Sequence, residues 1–61
     1  MPIVEITWFE GRTVDQKREI ARRVTDTLVE VVSCPPEAVS IVFNDRPRHD
    51  LAKAGKLACD D

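Results

Sequence analysis

One amphipathic stretch, residues 14–33, decides how this chain is able to fold, because it lies between two short β-forming runs. Ile20, Ala21, Val24, Leu28, Val31 and Val32 recur at helical spacing and form a single apolar stripe. Lys17, Arg18, Glu19, Arg22, Arg23, Asp26 and Glu30 fall on the opposite side. Acids interleave there with bases, so this side is expected to be a solvated face. Glu19 precedes Arg23 by one helical repeat in the favoured order, a pair worth about 0.3 kcal/mol. Thr13 stands where the stripe begins, with Gln16 three positions later, which predicts a capping box. "CPPE", residues 34–37, stops the helix, since consecutive prolines cannot continue it.

The flanking runs read as strands. "IVEITWF", residues 3–9, is rich in β-branched and aromatic side chains. Ile3, Glu5, Thr7 and Phe9 point one way. Val4, Ile6 and Trp8 point the other way and are expected to meet the helix. "VSIVFND", residues 39–45, predicts the second strand. A helix of this length between two strands makes a βαβ unit, so the strands should be parallel with a right-handed crossover. Residues 46–61 are less regular: "RPRHD" is a turn, and "LAKAGKLACDD" fits either a short helix or a small hairpin. The expected fold class is therefore α/β, a single βαβ unit in one domain spanning residues 1–61.

A chain of 61 residues has too much surface for a self-sufficient core. Small domains add disulfides, a metal or oligomerisation. Cys34 and Cys59 allow one disulfide or two free thiols, and two thiols suit a cytosolic protein. There is no CxxC and no Cys/His pair at metal spacing, so no metal site is expected. Oligomerisation is left as the source of extra burial. A lone two-stranded sheet with one helix has an open face and two open edges, and closed symmetric assembly covers them. The formal charge of −2 lacks the basic footprint of a nucleic-acid binder. No apolar run approaches the ~18 residues of a membrane span. Glu5 and the missing basic n-region argue against a signal peptide, so the cytoplasm is the expected location.

The opening "MP" raises its own question. Proline donates no backbone hydrogen bond, and a strand tolerates it at its first residue or on an edge. Tolerance does not explain use. The proline behind the initiator methionine, the first strand leading into "EGR" at 10–12, the Thr-capped helix with "QK" in its first turn and the second strand near residue 40 together resemble the 4-oxalocrotonate tautomerase family. The resemblance is good over residues 2 to about 45 and weaker through "AKAGKL". It implies a hexamer built as a trimer of dimers, no cofactor, and removal of methionine to expose Pro2 as the general base.

The chemistry fits a terminal proline. A free α-amine titrates near ~8, and burial among groups such as Ile3 and Phe9, or a nearby arginine, would lower that value. A base poised near the working pH can also return the proton. The resemblance further implies that Arg12 binds a substrate carboxylate, usually across a subunit boundary, through its planar fork. Two positions depart from the family. The second-strand arginine of well-studied members corresponds to Ser40, and a large aromatic in their tail corresponds to Leu51. Serine cannot neutralise a carboxylate, which argues against the usual dicarboxylic enol, 2-hydroxymuconate. Arg46 and Arg48 lie just beyond the strand and are candidates to compensate, whereas His49 reads as a solvated residue.

The expected activity is proton transfer between oxygen and carbon of a small enol or dienol acid. The alternatives are a non-catalytic homologue or an inactive subunit of a mixed oligomer, a small binding module, and a hydratase or dehalogenase. The last needs an acid to activate water, but Lys53 stands near that position, with Asp50 the nearest acid.

Overall fold

The computed structural model describes residues 1–60. Strand β1 (Ile3–Phe9) leads to helix α1 (Val14–Val32), which returns the chain to strand β2 (Ser40–Arg46). The strands pair in parallel, with Ile3 beside Ser40, Val4 beside Ile41, Trp8 beside Asp45 and Phe9 beside Arg46. This is the expected βαβ unit. Val39 was expected to open the second strand. It instead closes the 3-10 turn Pro36–Ala38, its N–H donating to the Pro36 carbonyl at 3.1 Å, so the strand starts and ends one residue later.

Both helix ends follow their local chemistry. Gln16 N–H donates to Thr13 Oγ1 at 3.1 Å, and Thr13 N–H donates to Gln16 Oε1 at 2.9 Å. Ser33 takes a left-handed conformation at the C-cap, φ 61°, immediately before Cys34 and the two prolines. The Glu19–Arg23 pair forms, and Glu19 also pairs with Arg22. Val31 and Val32 depart from the expected stripe, being 75% and 59% exposed. Length gives the reason. The 19-residue helix is about 28 Å long at ~1.5 Å per residue, whereas each 7-residue strand spans about 23 Å, so the last turn overhangs the sheet. In the helix before that last turn, Val24, Thr25, Leu28 and Val29 are half-buried.

The tail resolves as a hairpin. Strands β3 (Ala52–Lys53) and β4 (Lys56–Leu57) pair antiparallel. The two residues between them, Ala54 and Gly55, both have positive φ, 53° and 80°, as a two-residue type I′ turn requires.

Among the described residues, none is fully buried. The helix covers one face of the sheet, where Val4, Ile6, Trp8, Ile41 and Phe43 are half-buried. On the other face Ile3 is 67% exposed and Val42 is 42% exposed. The chain measures 43 × 24 × 14 Å with a radius of gyration of 14.8 Å. A compact domain of this length would have a radius of about 10.5 Å. This flat, elongated plate lacks an interior of its own, which is the physical motive for assembly. Cys34 and Cys59 are both free thiols. No described helix is long and apolar enough to cross a membrane.

Candidate active site

The candidate residues fall into two groups at opposite ends of the sheet. Pro2 is half-buried at the entrance to β1. Its carbonyl accepts a hydrogen bond of 3.0 Å from the Ser40 N–H. The parallel register therefore brings Ser40 beside Pro2, at the start of both strands. With Met1 attached, the Pro2 nitrogen is an amide without basicity.

The second group gathers where β1 ends. A cavity of about 290 Å³ is lined by Thr7, Trp8, Phe9, Arg12, Arg46 and Leu51. Gly11, with φ 130°, turns the chain between strand and helix. The turn carries Arg12 back over the strand end, where its Nη1 donates to the Phe9 carbonyl at 2.9 Å. The guanidinium lies 5.0 Å over the Trp8 ring, a cation–π arrangement that restricts it and leaves N–H groups for a ligand. Arg46 reaches the cavity as the cross-strand partner of Phe9, with a looser 3.7 Å contact to Asp50. Arg48 sits 4.5 Å over the Phe9 ring and lines a neighbouring cavity of about 570 Å³, shared with Leu51 and the hairpin. Such walls, apolar with guanidinium groups at the rim, suit a small unsaturated carboxylate.

Arg12, Phe9, Arg46 and Leu51 thus share one cavity, and Pro2 and Ser40 are neighbours elsewhere. The two groups do not meet within one chain. From Ile3 to Phe9 the strand advances about 20 Å at ~3.3 Å per residue. Phe9, expected among the groups burying the proline, stands at the far end from it. His49 is exposed, 3.5 Å from Asp50. Asp50 is engaged with His49 and Arg46, and Lys53 lines the larger cavity.

Four residues assume roles that strand and helix patterns did not suggest. Trp8 Nε1 donates to Asp45 Oδ1 at 2.6 Å, and Lys17 Nζ meets Asp45 Oδ2 at 2.6 Å. Phe43 stacks on Trp8 with ring centres 5.5 Å apart. The Asp45 carboxyl is held below its usual value, first by the Lys17 hydrogen bond and then by the Trp8 N–H. Lys17 therefore leaves the expected solvated face and reaches the sheet end. The sequence indicated parallel strands, but the register that sets Asp45 opposite Trp8 comes from their alignment in the fold.

These features define a βαβ chain with a proline-led strand and an arginine-bearing apolar cavity. The model of the tautomerase enzyme family matches residues 2–60. A probable tautomerase of Streptococcus thermophilus is 47% identical over 57 residues, covering 93% of each chain. A crystal structure described as a 4-oxalocrotonate tautomerase homologue superposes with a TM-score of 0.91 at 31% identity, covering 100% of this chain and 97% of that one. A heterohexameric 4-oxalocrotonate tautomerase from Chloroflexus aurantiacus superposes with a TM-score of 0.85 at 25% identity, covering 98% and 97%. The chain belongs to the tautomerase family.

Proposed function

We propose that this chain is a tautomerase acting on a small enol or dienol acid, with Pro2 as general base once Met1 is removed. The observation that carries this is the proline at the head of β1 in a chain of the tautomerase family. The neutral proline nitrogen takes the enol O–H proton, and the oxygen's electron pair forms the carbonyl. The double bond shifts, and the distal carbon takes the proton back from the prolinium. No cofactor enters this scheme. Arg12 holds the substrate carboxylate bidentately. Phe9 and Leu51 wall off water, and Ser40 lies beside the base.

The ~20 Å between Pro2 and the arginine cavity exceeds the span of a small acid, so the complete site is formed between subunits. A closed hexamer, a trimer of dimers, would supply that neighbour and cover the exposed sheet face. The heterohexameric relative supports a second reading, in which this chain is one kind of subunit in a mixed assembly.

Mass spectrometry with kinetics tests the proposal. Protein lacking methionine should turn over phenylenolpyruvate, with an ascending limb in the pH profile of kcat/KM from the proline amine. A form carrying one residue ahead of Pro2 should lose that activity. Equal rates for both forms would remove Pro2 as the base. Full retention of Met1 would favour the mixed-assembly reading.

A further inference from the structure

We propose that Lys17 keeps Arg12 available for a substrate carboxylate by occupying Asp45, an anionic side chain fixed to the same indole that carries Arg12. The inference rests on Arg12 being the carboxylate-binding residue. In the "QK" pair of the helix's first turn, Gln16 is already explained by the cap. Lys17 is left without a role by the tautomerase scheme.

The geometry sets up a competition. The Trp8 indole holds Asp45 at its N–H edge, 2.6 Å away, and Arg12 over its face at 5.0 Å. Asp45 is close enough to Arg12 for that charge to act on it. An arginine and a carboxylate on one platform would ordinarily pair, and a tethered carboxylate has a concentration advantage over a dissolved one. Here both Asp45 oxygens are taken, Oδ1 by Trp8 and Oδ2 by Lys17 at 2.6 Å. Arg12 is directed instead to the Phe9 carbonyl. Lys17 is itself set in place, its ammonium lying 5.8 Å from the centre of the Phe43 ring that stacks on Trp8. Lys17 is thus a positioning residue that acts through Arg12, and Asp45 is the competing anion it occupies.

Four variants test this: Lys17→Met, Lys17→Arg, Asp45→Asn and the double variant Lys17→Met/Asp45→Asn. Two readouts are taken, KM and kcat on phenylenolpyruvate, and the Kd of benzoate from the fluorescence of Trp8, the only tryptophan. Lys17→Met should raise KM and the benzoate Kd together by about fivefold, the scale of an exposed ion pair, with kcat changed less than about twofold. Lys17→Arg should behave as wild type. Asp45→Asn still accepts from Trp8 and should stay within about twofold of wild type, and the double variant should return to that level. If Lys17→Met folds poorly, Lys17→Gln replaces it in both positions of the cycle. A double variant as impaired as its Lys17→Met parent, or a Lys17→Met variant with unchanged constants, overturns the inference. The benzoate arm needs no turnover. The expected binding pattern without turnover therefore supports this inference and rejects the catalytic proposal. Turnover with unshifted benzoate binding rejects this inference alone.

Discussion

The separation of Pro2 from Arg12 makes mixing of defective subunits the most decisive perturbation. Two homomers are prepared, one with Pro2 blocked by an added amino-terminal residue and one carrying Arg12→Ala. Each should be severely impaired on a carboxylate enol, the first in kcat and the second mainly in KM if Arg12 binds ground and transition states equally. The two are then unfolded, combined in equal amounts and refolded together. If the proline and the arginine of a site come from different subunits, each site draws them independently. About a quarter of the sites then receive an intact proline from one variant and an intact arginine from the other. Activity should recover to about a quarter of wild type per site. If both residues came from one subunit, every site would keep one defect and nothing would return. The mixture is assayed on phenylenolpyruvate against each homomer refolded alone. Mixed oligomers that show no gain over the parents would refute the placement of the site between subunits and the ~20 Å argument beneath it.

Sedimentation equilibrium at micromolar concentration should give about six times the 6.9 kDa chain mass, and a folded monomer at that mass would sink the hexamer. Ser40→Arg should raise kcat/KM on 2-hydroxymuconate more than on a monoacid enol, because a positioned charge beside Pro2 is worth about 3 kcal/mol in a dry site. High wild-type activity on the diacid, unchanged by Ser40→Arg, would assign the second cation to Arg46 in the Arg12 cavity. The folded-state pKa of Asp45 is depressed, so its contribution to stability is present above about pH 4 and is lost as pH falls through the folded value. The urea midpoint followed by Trp8 fluorescence should therefore drop below about pH 4, and Asp45→Asn should flatten that part of the profile.

The exposed faces explain why so small a chain carries so much apolar surface. Ile3 and Val42 lie on the uncovered side of the sheet, and Val31 and Val32 lie on the overhanging helix turn. Exposed apolar residues of this kind are what an assembly of subunits would cover. Under the proposed placement of Pro2 and Arg12 on different subunits, the same covering would complete the site.

Much of this protein was legible in its residues because the signals are local. The period-2 runs, the helical stripe, the Thr13–Gln16 box and the Cys34-Pro35-Pro36 stop depend on neighbours within a few positions, and local sterics and capping chemistry fix them. Pro2 and Arg12 were reached differently, through the family resemblance that "MP" and "EGR" carry, and their roles are those proposed above. The tertiary structure decided what depends on register and length. Which strand residues sit side by side is invisible until the strands are aligned, and alignment put Ser40 beside Ile3, its N–H bonded to the Pro2 carbonyl, and Asp45 against Trp8. The overhang that exposes Val31 and Val32 comes from helical and extended rises being unequal. The hairpin needed two consecutive positive φ values, which Gly55 allows easily and Ala54 adopts only because the pairing of β3 with β4 holds it there. Periodicity reports which face a side chain takes, whereas distance along the sheet reports what it can reach, and that second quantity separates Pro2 from Arg12 within the chain.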